Sequence, residues 1–106
     1  MRTTEKNYVA LLSPEDRKRY RHLRRGRRIL SFTIQYETLL AGEWVPVVRY
    51  DTSHRIAHKD VLDQKGKEKK FLLGIADFRE ALLLADDDIK TNWRRYKSVF
   101  LRRKER

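Results

Sequence analysis

The chain of 106 residues contains no cysteine. Disulfide bonds, cysteine-ligated zinc sites and thiol catalysis are therefore excluded, and a reducing cytoplasm fits this composition. No apolar run approaches the roughly 20 residues that a membrane-spanning helix needs. The first residues lack the apolar region of a signal peptide, and Glu5, Glu15 and Asp16 argue against a transit peptide. We therefore expect a cytoplasmic protein.

Acidic residues are few beside basic ones. Lys and Arg total 26, Asp and Glu total 15, and the formal net charge is +11. Charged residues make up 39% of the chain, yet it also contains 2 Trp, 5 Tyr and 4 Phe. Because disordered chains are usually poor in aromatic residues, we expect a folded core under a charged surface. The length predicts a single domain over residues 1–106.

The positive charge is concentrated in the first quarter of the chain. Residues 1–28 hold ten Lys or Arg against three acidic residues, a net charge of +7. Cations clustered beside a polyphosphate release its condensed counterions, which favours binding without regard to sequence. The segment predicts nucleic-acid binding, with RNA favoured over DNA, although an acidic protein partner or a merely solvated surface would also fit. The candidate nucleic-acid contacts are seven residues of this segment and one further along the chain: Arg17, Lys18, Arg21, Arg24, Arg25, Arg27, Arg28 and Lys59.

Local signals predict that this basic segment is a helical arm. Ser13 is a suitable N-cap, Pro14 suits a first helical position, and the acids that follow suit the positive end of the helix dipole. The predicted helix runs from Pro14 to about Arg25 and ends at Gly26. It has little apolar surface, so we expect it on the outside of the protein.

Residues 29–73 are predicted to form a four-stranded antiparallel meander. Apolar residues alternate with polar ones from Leu30 to Glu37 and again from Trp44 to Asp51, the period of a half-buried strand. Shorter strands are predicted at 55–62 and 68–73. Because proline cannot donate to a strand ladder, Pro46 is expected at an open edge or a bulge.

Residues 75–103 are predicted to form a C-terminal helix packed on one face of the sheet. Apolar residues recur at intervals of three and four from Phe78 to Phe100, which is one continuous helical stripe. Asp77 and Glu80 have the spacing of a capping box. An unbroken helix would be about 40 Å long, so we expect it either to break near Asp86–Asp88 or to project. The predicted fold class is α+β.

One chemically dense stretch lies between residues 49 and 60. If Thr52–Ser53 is a two-residue connection, Arg49, Asp51, His54 and His58 share one sheet face. Trp44 and Val48 then lie on the other face, against the C-terminal helix. On a strand the two histidines are about 13 Å apart, too far to share an ion, so we predict neither a metal nor a cofactor.

This predicted face contains the parts of metal-independent RNA cleavage. A histidine can move protons, a carboxylate can orient it, and an arginine can stabilise charge on phosphorus. The alternative is a structural network in which Asp51 bonds His54 and Arg49 bonds Asp60. The sequence leaves both interpretations open.

The motif Arg49-Tyr50-Asp51-Thr52-Ser53-His54, followed by His58-Lys59, resembles the TumE-like toxins of prokaryotic toxin–antitoxin pairs over about residues 29–103. The resemblance implies a small α+β toxin that interferes with RNA or translation, and an antitoxin partner that is acidic or binds DNA. It points to the residues of the motif, including Lys59. Where that family continues into a further histidine, this chain has Asp60.

Together these observations predict a toxin-like protein that targets RNA, and a working histidine face would make it a metal-independent ribonuclease. The alternative is a non-catalytic RNA- or DNA-binding subunit of a ribonucleoprotein or nucleoprotein complex. A third class is an interaction protein whose basic surface binds an acidic partner.

Overall fold

A computed structural model describes residues 2–102, which form six strands followed by one helix. The elements are β1 (Thr3–Ser13), β2 (Asp16–Arg25), β3 (Arg28–Leu40), β4 (Glu43–Asp51), β5 (His58–Leu62), β6 (Glu68–Leu72) and α1 (Phe78–Arg102). The strands form one antiparallel sheet in chain order. The α+β class fits, but the predicted N-terminal helix and four-stranded sheet are wrong, because the sheet has six strands and dominates the fold.

The segment predicted as a basic helical arm is instead the hairpin of β1 and β2. Ser13 Oγ accepts a hydrogen bond from the Glu15 amide at 3.0 Å and donates to Asp16 Oδ2 at 2.6 Å. A serine that accepts a hydrogen bond from the amide two residues further on can also stabilise a tight turn. The Ser-Pro-Glu sequence therefore forms the turn between two strands and not the start of a helix. There is no separate basic arm, since β2 pairs along its length with β1 and β3.

The predicted strands correspond to β3, β4, β5 and β6, with one shortened. The predicted strand at 55–62 begins only at His58, because Ser53–Arg55 forms a short 3₁₀ turn. Pro46 is confirmed at a bulge, where Tyr36 pairs with Val48 but Glu37 pairs with Pro46. The extra residue reverses the side-chain alternation. The expectation that Trp44 packs against the helix beside Val48 is therefore wrong, because Trp44 lies on the sheet face that α1 does not cover.

The predicted C-terminal helix is confirmed as a continuous element, α1, which passes through Asp86–Asp88 without a break. Its predicted end at Arg103 lies outside the described residues. The buried stripe of α1 packs against β3 and β4, and the core includes Phe32, Ile34, Tyr36, Val48, Tyr50, Ala85, Ile89 and Trp93. No helix within residues 2–102 is long and apolar enough to cross a membrane.

Buried polar contacts also hold α1 to the sheet. Asp16, 1% exposed, accepts hydrogen bonds from the Tyr36 hydroxyl at 2.6 Å and from Lys97 Nζ of α1 at 3.1 Å. Lys18 donates to Asp86 at 2.6 Å. Because buried polar groups are costly unless they are paired, these contacts explain how β2 can bury charged residues beneath a helix.

Candidate functional site

The predicted catalytic residues Asp51 and His58 meet on the sheet face that α1 does not cover. Their strands pair in register, and His58 Nε2 lies 2.8 Å from Asp51 Oδ1. The other ring nitrogen, Nδ1, lies 3.1 Å from the Ile56 carbonyl oxygen. His58 is buried, 4% exposed, and both of its nitrogens face oxygen acceptors. Both ring nitrogens are therefore occupied by contacts within the protein.

Asp51 stabilises the loop that joins β4 to β5 by accepting hydrogen bonds within it. Its Oδ1 accepts from the Ser53 amide at 3.0 Å and from Ser53 Oγ at 2.9 Å, besides facing His58. A carboxylate that bonds the amide two residues on is a common device for ordering a turn. The Asp51–His58 pair thus fixes the beginning and the end of this loop.

Asp60 joins the same cluster. In the sequence analysis Asp60 has a role only in the alternative interpretation, as the partner of Arg49 in a structural network. It is 2% exposed and pairs with Lys70 Nζ at 3.0 Å and, more distantly, with Arg49 Nη1 at 4.0 Å. Ligand atoms of Asp51, His58 and Asp60 lie within 4.8 Å of one another, a spacing that a metal ion could bridge. Lys70 and Arg49 already supply positive charge there, so the cluster is electrostatically compensated by its own side chains.

The predicted catalytic face is therefore only partly assembled. Arg49, Asp51 and His58 share one face, where Arg49 Nε donates to Gln35 at 2.7 Å. His54 does not join them, because Asp51 pairs with His58 and not with His54. The connection between the strands spans residues 52–57 and leaves His54 exposed in the 3₁₀ turn. Lys70 was missed because its position opposite Asp60 depends on the register in which β6 pairs with β5.

Four of the eight predicted nucleic-acid contacts are occupied by partners within the protein. Arg17 pairs with Glu37 at 2.6 Å and Arg21 with Glu5 at 3.4 Å. Lys18 is buried against Asp86. Lys59 lies under α1, where its ammonium donates to the Tyr96 hydroxyl at 2.6 Å and lies 3.8 Å from Asp88.

The other four, Arg24, Arg25, Arg27 and Arg28, lie on the β2–β3 turn and are exposed. Within residues 2–102 none of them has a carboxylate within 4.0 Å, and Arg24 donates only to the Gly26 carbonyl, at 2.8 Å. The meander brings Arg2 and Arg55 to the same end of the sheet, because Thr3 pairs with Arg25 and because Arg55 and Arg28 line one cleft. We call this group the arginine end: Arg2, Arg24, Arg25, Arg27, Arg28 and Arg55.

The loop that carries Arg55 has an unusual backbone. His54 and Arg55 are consecutive non-glycine residues with φ of 59° and 63°. This left-handed conformation costs about 1–2 kcal/mol per residue for an L-amino acid. The contacts of Asp51 and His58, together with a hydrogen bond from the Arg55 amide to the Thr52 carbonyl at 3.1 Å, hold the loop in this conformation. Such strain is characteristic of functional positions, and no local sequence signal predicted it.

The comparisons with known proteins give a family and no function. The sequence profile of a family described as Domain of unknown function (DUF7718) matches residues 1–106. No curated protein and no solved structure matches the chain. The description of the chain as an RNA-binding component of a toxin–antitoxin pair thus finds no support and is set aside. The TumE-like resemblance itself stays a prediction from the motif.

Proposed function

The chain belongs to the DUF7718 family, whose function is unknown, and we propose that it is a non-catalytic module that binds the phosphate backbone of a nucleic acid through the arginine end. The observation that carries the proposal is the set of exposed guanidinium groups at one end of the sheet, none of them paired with a carboxylate within residues 2–102. Guanidinium groups bind phosphate oxygens with two parallel hydrogen bonds. Six of them at one end form a surface that solubility does not require.

Non-catalytic binding is favoured over cleavage by the state of the histidines. Cleavage by a 2′-hydroxyl needs proton-transfer groups that reach the substrate. His58 is buried with both nitrogens facing acceptors, and His54 stands apart from it on the strained loop. The cluster around Asp51 instead positions the loop that presents Arg55.

The test is the salt dependence of binding, measured by fluorescence anisotropy with labelled oligonucleotides of DNA and of RNA. The variant is the quadruple change of Arg24, Arg25, Arg27 and Arg28 to Gln. Each lost phosphate contact should reduce the slope of log K against log salt by about 1, so the quadruple variant should lose up to about 4. The affinity should fall by a similar factor for every base sequence.

A matched control removes the same number of charges elsewhere on the exposed surface: Lys67, Lys69, Lys90 and Arg94 to Gln. This control should keep most of the wild-type slope. Equal losses in the two quadruple variants would show that only net charge matters, and would refute an interface at the arginine end. Cleavage of the RNA that disappears with His54→Ala and His58→Ala would restore the catalytic alternative.

A further inference from the structure

A cleft opens between the β2–β3 turn, the β4–β5 loop and the beginning of α1. Its volume is about 630 Å³, within the roughly 300–1,000 Å³ that is usual for small-molecule sites. It is lined by Arg28, Ile29, Leu30, Arg55, Ala76, Asp77 and Phe78. The cleft therefore lies within the arginine end.

The lining of the cleft combines three kinds of surface. Arg28 and Arg55 provide two guanidinium groups that have no carboxylate partner within residues 2–102. Phe78, Ile29 and Leu30 provide an apolar wall. Asp77 provides a carboxylate, whose Oδ1 accepts a hydrogen bond from the Arg79 amide at 2.9 Å at the start of the helix.

We propose that this cleft binds one unstacked nucleotide of a single-stranded nucleic acid, with its phosphate on Arg28 and Arg55 and its base against Phe78. The assignment rests on the proposed function and specifies the substrate class. A bare anion does not explain the apolar wall or the carboxylate. A nucleotide matches all three surfaces, because it has an anionic phosphate, a flat ring that can stack on an aromatic side chain, and, on most bases, an amino group that can donate to a carboxylate such as Asp77.

Single strands are favoured over duplexes because a base must leave its stack to enter the cleft. Bases of a single strand can be splayed out onto protein side chains, whereas a paired base first loses its pairing and stacking energy. The strained backbone at His54 and Arg55 supports the assignment independently. It fixes Arg55 between this cleft and a second one of about 350 Å³, which shares Arg55, Ala76 and Phe78 with the first.

The decisive variant fills the cleft without changing its charge. Ala76 is exposed and lines both cavities, so Ala76→Leu should occlude the base position. Its matched control is Thr91→Leu, which adds an apolar side chain at an exposed position in the middle of α1. For the phosphate, Arg55→Gln is compared with Arg79→Gln, an equal change of charge outside the cleft. All four positions are exposed, and unchanged melting temperatures should confirm folding.

The probes are a labelled oligodeoxycytidine, whose bases carry an amino donor, a fully paired DNA duplex of equal length and a free nucleoside monophosphate as competitor. Wild type should prefer the single strand over the duplex. Ala76→Leu should lower single-strand affinity about 10-fold, the effect expected from losing one stacked base, and leave duplex affinity unchanged. Arg55→Gln should weaken single-strand binding by a similar factor, while both controls bind as wild type does.

Three results would overturn this assignment. The first is single-strand binding by Ala76→Leu at wild-type affinity, and the second is wild-type preference for the duplex. The third is free nucleotide bound as tightly as the strand. If any of these occurs while the quadruple arginine variant still loses its salt slope, the cleft assignment fails and backbone binding stands. If the quadruple variant matches its control, the proposed function itself fails.

Discussion

Replacing Asp16 should reveal how much of the stability depends on one buried carboxylate. Asp16 lies at the start of β2 and is 1% exposed. It accepts from Ser13 Oγ and the Tyr36 hydroxyl, both at 2.6 Å, and from Lys97 Nζ at 3.1 Å. Tyr36 itself has no exposed surface. Asp16→Ala therefore removes the acceptor of a fully buried hydroxyl and the counter-ion of a lysine on α1.

The expected cost follows from these contacts. Hydrogen bonds that involve a charged group contribute about 1.5–3 kcal/mol each, and an orphaned buried donor by itself costs about 1–3 kcal/mol. We expect Asp16→Ala to lower the free energy of unfolding by about 3–5 kcal/mol, out of the roughly 5–15 kcal/mol of an ordinary domain. Asp16→Asn, which keeps an acceptor for Tyr36, should cost less.

Equilibrium unfolding in urea measures these differences, with the exposed neighbour Glu15→Ala as the control. A double-mutant cycle with Tyr36→Phe isolates the buried pair, since Tyr36→Phe should cost much less once Asp16 is alanine. Additivity within about 0.5 kcal/mol, or equal stability of Asp16→Ala and Glu15→Ala, would refute the reasoning.

The lowered pKa of Asp16 predicts that the stability of the protein depends on pH. Burial by itself would raise the pKa of Asp16, but hydrogen bonds from Ser13, Tyr36, Thr38 and Lys97 outweigh it and lower the pKa below 3.8. Because the unfolded state binds this proton more readily, the contribution is present above about pH 3.8 and is lost as the pH falls through the lower folded value. Asp16→Asn should remove this part of the acid sensitivity.

The remaining predictions concern three further positions. Burial lowers the pKa of His22 below 6.5, and the positive charges of Lys6 and Arg24 lower it further. Because the unfolded state then binds the proton more readily, stability should fall as the pH drops below about 6.5. His22→Phe should remove this decrease when the urea midpoint is measured between pH 5 and 8. Ala41 has a φ of 51° and precedes Gly42 in the β3–β4 turn. Because asparagine adopts this conformation more readily than alanine and Asn-Gly suits such turns, Ala41→Asn should stabilise the protein by about 0.5–1 kcal/mol. A lower melting temperature would contradict this prediction. Ile89 has no exposed surface, so Ile89→Ala should lower the free energy of unfolding by about 2–5 kcal/mol in a urea titration. Leu83→Ala, at an exposed position, should change it little. Equal losses of stability would mean that α1 does not bury its predicted face.

Part of the functional surface could be read from local residues, and part could not. The charge of Arg24, Arg25, Arg27 and Arg28 is visible in the sequence and stays exposed on the turn. The sequence does not show which basic residues pair with acidic residues of other elements, because only strand pairing and helix docking bring those partners near. Four of the predicted contacts are paired in this way: Arg17, Lys18, Arg21 and Lys59. Arg55 gains its position from a loop whose length the sequence did not reveal.

The sequence by itself determined the elements whose apolar residues repeat with a regular period. The alternation in β3 and the stripe along α1 were sufficient because each element records locally which of its faces is buried. Only the tertiary structure decided the β1–β2 hairpin and the register in which β4 pairs with β5. The inward positions of β2 include Asp16 and Lys18, whose partners Tyr36, Asp86 and Lys97 lie 20, 68 and 81 positions away. A polar residue can be buried only where such a partner meets it, and that depends on the assembled fold.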